Sequence, residues 1–329
     1  MPYSLSSMVV RTAGCLSQPA SLGLLFCRAF LLLSCAASFL TTSSGCRTFC
    51  PKSLEQNVVD ARQASLQGLD AMHQGRWDEA ERIFASAVKA CPSDERARSC
   101  YAETLWQRGS CDEALGHMQE AVRLSQGDPQ RVVQLGEMHL ALGQLKEAQQ
   151  QADQAIARNC RLSSAWALRG NVHMGRGQYD DALADYHRSL AYSEHQPRVQ
   201  MNVAQIYRRQ NRSQRALSTL ETLAEQFPPG EVPLDVIAMQ GMSLKELGRH
   251  EDAAVMLAQA ASQGSPSSDL LFHLAEAQFF AGDASAAQAS LDLALAQDPQ
   301  HSGGLQLRTH LIEKHHGLTA RIDSGAIVR

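Results

Sequence analysis

A small residue returns seven times in one phase along this chain: Gly68, Ala102, Gly136, Gly170, Ala204, Gly241 and Ala275, 34 residues apart except for one step of 37. Twelve residues after each of them stands an alanine: Ala80, Ala114, Ala148, Ala182, Ala216, Ala253 and Ala287. A third series lies between the two, Gly75, Gly109, Gly143, Gly177, Asn211, Gly248 and Gly282, at the place where a left-handed backbone closes one helix. Three registers of this kind describe a stack of one supersecondary unit, helix, tight turn and helix, because a single unit cannot bury its own apolar face.

Close packing explains the residue types. Two antiparallel helices approach closely only where one carries Gly or Ala and the other carries Ala. Larger neighbours fill the seam: Phe84, Met118, Ala152, Tyr186, Leu220, Leu257 and Leu291 come four residues after each alanine, and Ala87, Ala121, Ala155, Ser189, Leu223, Ala260 and Ala294 three residues later. Those offsets put all three on one helical face. The 37-residue step follows from the insertion Pro228-Pro229-Gly230-Glu231-Val232-Pro233, whose prolines delay the next helix without destroying it.

The pattern resembles the tetratricopeptide repeat family. The first unit matches with Gly68, Gly75, Trp77, Ala80, Phe84, Ala87 and Pro92, the fourth with Trp166, Gly170, Gly177, Tyr179, Ala182 and Tyr186. The likeness covers residues 61–301, and the fifth unit departs from it at Asn211, Ser213 and Leu223. It implies an all-α, right-handed α-solenoid of about seven helix-turn-helix repeats, near 61–94, 95–128, 129–162, 163–196, 197–230, 234–267 and 268–301, within a solenoid spanning 57–301. A solenoid grows in one direction, so length demands no second domain. Residues 302–316 read as a capping helix with Leu305, Leu307, Leu311 and Ile312 on one face, and 317–329 as a flexible tail.

Residues 1–60 do not repeat. No acid precedes Glu55, and Arg28 is followed by an apolar stretch from Ala29 to Leu40, the pattern of an export signal. That stretch is short for a membrane span of ~20 residues. Ser43-Ser44-Gly45-Cys46 resembles the lipobox of bacterial lipoproteins, in which the cysteine is lipidated and becomes the mature amino terminus, although Ser43 stands where leucine is usual. The resemblance implies a signal peptide over 1–45, lipidation at Cys46, a tether over 46–56 and a lipid-anchored place in the bacterial cell envelope. Three acyl chains would anchor firmly where one binds only marginally. Leu32-Leu33-Ser34-Cys35 is a competing match that would leave an apolar stretch on the mature chain. Ordinary cleavage to a soluble periplasmic or secreted protein, an uncleaved anchor, an organelle transit peptide and a cytosolic adaptor remain as alternatives. Loss of residues 1–45 removes Arg11 and Arg28 and shifts the formal charge from -4 to about -6, without bias toward nucleic acid.

Chemistry is sparse. Past the leader the cysteines are Cys46, Cys50, Cys91, Cys100, Cys111 and Cys160, with no recognisable disulfide framework and no CxxC pair. Cys111 stands where the first unit has Trp77 and the fourth Tyr179, and reads as a packing residue. His139 and His173 share a phase and read as packed between helices. No HExxH, GxSxG, Walker A or GxGxxG occurs, so no catalytic residue, metal or cofactor is assigned.

Binding suits the shape better, since the first helix of each unit lines a concave surface. The family's groove positions fall on a mixed set, from which Glu103, Trp106, Glu137, Asn171, Asn202, Gln205, Arg208 and Arg209 are the candidate partner-binding residues. In chaperone-binding members, asparagines at places comparable to Asn171 and Asn202 hold the main chain and carboxylate of an acidic tail; the cations that accompany them are replaced here by Ala167, Asp235 and Met239. Arg198, Arg208, Arg209, Arg212 and Arg215 form either a site for a carboxylate or phosphate or a solvated face. Trp106, Leu69 and Met72 form either an apolar anchor site or inter-repeat core. The expected partner is another protein or peptide segment, or a second copy of the chain, besides the membrane reached through the lipid.

Overall fold

The computed structural model describes residues 54–323, and these form fifteen α-helices and no strand. Seven antiparallel pairs follow one another: α1 (Leu54–His73) with α2 (Trp77–Ala90), α3 (Glu95–Gln107) with α4 (Cys111–Leu124), α5 (Pro129–Ala141) with α6 (Leu145–Arg158), and α7 (Ser163–Gly175) with α8 (Tyr179–Tyr192). Then come α9 (Pro197–Arg209) with α10 (Ser213–Ala224), α11 (Leu234–Glu246) with α12 (His250–Ser262), and α13 (Ser268–Ala281) with α14 (Ala284–Gln297), before a last helix, α15 (Ser302–Asp323). The leader, Cys46 and most of the tether lie outside the described residues, as do residues 324–329.

Every turn inside a pair is built the same way. Gly75, Gly109, Gly143, Gly177, Gly248 and Gly282 take positive φ, and Asn211, the exception in that series, does so at +57°. Asparagine tolerates the left-handed region better than other residues with a Cβ. The next residue sends its N–H back to the carbonyl five positions earlier, as Arg76 does to Ala71, Gln144 to His139 and Arg212 to Tyr207, all at 2.8–2.9 Å. This satisfies carbonyls that the helix end would otherwise leave open.

The seam is a set of small-against-large pairs. A Cβ placed on Gly68 would stand 2.6 Å from the Phe84 ring, one on Gly170 2.6 Å from the Tyr186 ring, and one on Gly241 2.7 Å from Leu257. Where alanine replaces glycine, at Ala102, Ala204 and Ala275, the residues sixteen positions on are Met118, Leu220 and Leu291. The third unit breaks the scheme, because Gly136 and Ala152 are both small. Its space is filled from the next unit by Leu168, whose Cδ2 would lie 2.5 Å from a Cβ on Gly136. The fifth unit, despite Asn211, Ser213 and Leu223, is fully packed: Leu220 and Leu223 are buried against Val236 of the sixth. The loop carrying Pro228, Pro229 and Pro233 occupies the gap between α10 and α11.

Both ends are finished by residue choice. Gln63, Gln67 and Asp70 on α1 are exposed, whereas the positions in phase with them include Ala97, Ala165 and Val199, then Leu135 and Val203, then Met138, Val172 and Ile206, all buried. At the other end Leu307 and Leu311 of α15 pack on Ala275, Ala287 and Leu291. Ile312, expected on the same face, is half exposed, since a step from 311 to 312 turns away from the seam. α15 also runs past the expected boundary at residue 316 and past Gly317, to Asp323.

Candidate partner-binding groove

The close approaches between helices of the same kind are between first helices: α1 with α3, α5 with α7, α9 with α11, and α11 with α13. First helices therefore line the inner side of the curve, and second helices fan outward. Glu103 on α3, Glu137 on α5, Asn171 on α7 and Gln205 on α9 share one phase, so they form a single row along that inner side.

At the centre of the row is a polar trio. The Tyr186 hydroxyl, on α8, donates to Asn171 Oδ1 at 2.7 Å, and Asn202 Nδ2, on α9, donates to the same oxygen at 3.0 Å and to the Tyr186 oxygen at 3.2 Å. Two donors converging on Asn171 Oδ1 fix the orientation of both amides. The Asn171 amide nitrogen and the Asn202 carbonyl oxygen are left with no hydrogen bond among the described residues, although both side chains are only partly buried. Burial pushes the Tyr186 phenol well up, so it stays a donor. Tyr186 reads in sequence only as a seam residue; the signal for its second role is a phenol, not a phenylalanine, fifteen residues after an asparagine.

Glu103 and Glu137 differ from the other groove carboxylates. Burial raises the Glu103 carboxyl, with Arg131 and His73 partly offsetting it. Burial likewise pushes Glu137 up to about 7; Arg198 acts against this and Glu103 adds to it. An unfolded glutamate near 4.5 releases its proton earlier than the folded one, so the folded state holds more protons between pH 4.5 and 7 and loses stability as pH rises through that window. Glu137→Gln is expected to stabilise the protein by about 1–3 kcal/mol at pH 8 and to have no effect at pH 4, read from urea unfolding at the two pH values.

Several of the remaining candidates pack or pair within the chain. Trp106 packs beside Ala102, Met118, Leu135 and Met138, on the inter-repeat core. Met72 likewise packs against Phe84, whereas Leu69 is exposed. Arg208 pairs with Glu246 of α11 at 2.6 Å, and Glu246 also accepts from Ser213 at 2.7 Å. Arg209 donates to the Tyr179 hydroxyl at 2.9 Å, and Arg215 lies 6.0 Å from the Tyr207 ring centre. Arg198 and Arg212 are exposed, so the five arginines do not converge on one site. Lys245 pairs with Glu276, whose carboxyl is held down to about 2 by His273 and Lys245. Gln205 is half-buried on α9 with no hydrogen bond among the described residues. His139, buried, and His173 each place Nδ1 against a glutamine across the turn, Gln144 at 2.6 Å and Gln178 at 2.9 Å. Cys111 is partly buried at the start of α4. No group of His, Cys, Asp and Glu able to hold a metal ion occurs among the described residues.

Stacked helix pairs with a preformed inner face define an α-solenoid scaffold for protein–protein interaction. Models of the tetratricopeptide repeat match residues 65–129 and 167–231, residues 244–311, and residues 129–154. The chain belongs to the tetratricopeptide repeat family. Among solved structures it is similar to a tetratricopeptide repeat protein from Parabacteroides merdae, at 13% identity and a TM-score of 0.56, over 77% of this chain and 99% of that one. It is also similar to YrrB, described as having an unusual peptide-binding site (17% identity, TM-score 0.50, 58% of this chain and 97% of that one). Yeast Tom70 is a third, at 14% identity and 0.51, over 83% of this chain and 57% of that one. At these identities the likeness is one of fold. No curated protein sequence matches the chain.

Proposed function

We propose that this protein is a non-catalytic scaffold, exported and held at a membrane by a lipid on Cys46, whose concave face takes a segment of another protein. The observation that carries the groove reading is the oriented amide pair: one free donor on Asn171 and one free acceptor on Asn202, the complement of a peptide group, fixed beforehand by Tyr186. Preformed groups of this kind bind without the cost of ordering the receptor. The peptide-binding site described for YrrB, which shares the fold, is in line with this.

The groove is tested with a capped decapeptide pool of random uncharged sequence, by fluorescence anisotropy on the full chain. Asn171→Asp keeps the inward acceptor for Tyr186 and turns the outward donor into a charged acceptor; it is expected to weaken binding about tenfold while the unfolding midpoint changes little. Tyr186→Phe, which removes one of the two donors to Asn171 Oδ1 and leaves only the direct Asn202–Asn171 bond without opening a cavity, should weaken it as well. Binding unchanged in both variants would remove the groove reading.

The address rests on the leader. Expressed in a bacterium with its own leader, the chain should start at Cys46, carry added acyl mass and partition with membranes, and Cys46→Ser should lose all three. No helix among the described residues is long and apolar enough to cross a membrane. An unmodified chain that stays in solution would return the protein to the soluble adaptor reading, and sedimentation would then show whether it binds a second copy of itself.

A further inference from the structure

We propose that the inner face between α3 and α5 takes a basic side chain, lysine or arginine, of the bound segment, with Glu103 and Glu137 as its counter-charges. This rests on the groove reading above and adds the partner's chemistry to it.

The two carboxylates stand one repeat apart in the same row, and neither makes an ion pair or hydrogen bond among the described residues. Glu137 is hemmed in by protein yet keeps some solvent contact, the situation of a group on the floor of a concave surface. The chain treats its other groove carboxylates differently. Glu276, in the same row on α13, is paired with Lys245, and Glu246 with Arg208. In the C-terminal half Glu246 and Glu276 are thus satisfied internally and Asp235 is exposed to water, while the N-terminal half leaves two carboxylates, one of them largely enclosed, without a partner.

The charged and titratable neighbours do not fill that role. Arg198 of α9 acts on Glu137, and Arg131 of α5 with His73 of α1 act on Glu103, but only from a distance. Arg131 directs Nη1 to Gln134 at 2.9 Å. Cys100 of α3 is a neutral thiol, pushed up to about 11 by burial. Both carboxyls stay raised in the presence of these groups, so their ionised forms still lack a donor. An ammonium or guanidinium group supplies charge-assisted hydrogen bonds to such oxygens. A metal ion is a poorer occupant, because no third ligand of metal-binding type joins them among the described residues.

The amide pair supplies an independent reason to expect a peptide, and it sets the spacing. Asn171 follows Glu137 by one step of the row. Packed helices lie ~8–10 Å apart, which an extended chain spans in about three residues at ~3.3 Å each. The basic residue should therefore lie about three to six residues from the stretch whose main chain meets Asn171 and Asn202.

The test uses three pools of capped, otherwise uncharged random decapeptides with one fixed residue, Lys, Ala or Glu, measured on the full chain. The Lys pool should bind about tenfold more tightly than the Ala pool, and the Glu pool least. Glu103→Gln with Glu137→Gln should bring all three pools to the Ala value, with the Ala pool itself unaffected. Equal binding of the three pools, preference for Glu, or a Lys preference that survives the double substitution would overturn the assignment and leave the groove standing. Failure of the parent protein to bind any pool would overturn both.

Discussion

Gly170→Leu is expected to cost about 3 kcal/mol, at the upper end for overpacking, and to open the fourth helix pair before any other. The Tyr186 ring lies where even the first side-chain carbon would go, 2.6 and 2.7 Å from Cε1 and Cδ1. The ring has no room to retreat: it is fully buried, and its hydroxyl is tied to Asn171 and Asn202. Gly177→Leu is the control, since that position faces open space and has φ of +74°, leaving only a backbone cost of about 1–2 kcal/mol. Hydrogen exchange resolved by helix, with urea unfolding for the total, separates the two. A Gly170 variant no worse than the Gly177 variant would mean that close contact of α7 and α8 is not what holds the unit together.

A comparable loss is expected from Asp185→Ala. Arg169 of α7 grips this carboxylate with two hydrogen bonds, 2.7 and 2.9 Å, and reaches back to Asp153 of α6 at 3.0 Å. Its guanidinium also lies 4.7 Å from the centre of the Trp166 ring, as does that of Arg188. Asp185 is 4% exposed, so removing it strands a partly buried cation with one half-exposed acid. Breaking a buried pair from one side costs about 3–5 kcal/mol, and the remaining Asp153 contact should keep this case near 3. Asp185→Asn, which preserves shape and one acceptor, should lose less than half as much. Equal losses for the two variants in urea unfolding would assign the effect to packing and not to the ion pair.

Much of the fold was legible because it depends on residue size and on backbone chirality, both of which a sequence displays directly. The left-handed turns at the glycine series and at Asn211, and the seam of Gly170 with Tyr186, follow from those properties alone. The groove was legible as a row of positions, and Asn171 and Asn202 do meet. Phase cannot foresee where a long side chain reaches. Arg208 finds Glu246 38 positions away, and this withdraws it from the surface that its place in the row offers. Nor does phase show that a vacancy in one unit is filled from the next, as Leu168 fills the third unit's, since that depends on three side chains at once.

The polar outer edge of α1 bears on how such an array can lengthen. A unit duplicated in the interior would find apolar neighbours on both sides and would dock as its parent does. The same unit inserted ahead of α1 would have to bury Gln63, Gln67 and Asp70, three groups whose hydration nothing in the incoming helix is shaped to replace. Growth by duplication is therefore cheaper along the body of the protein than ahead of α1, so the polar edge gives the array a direction as well as a length.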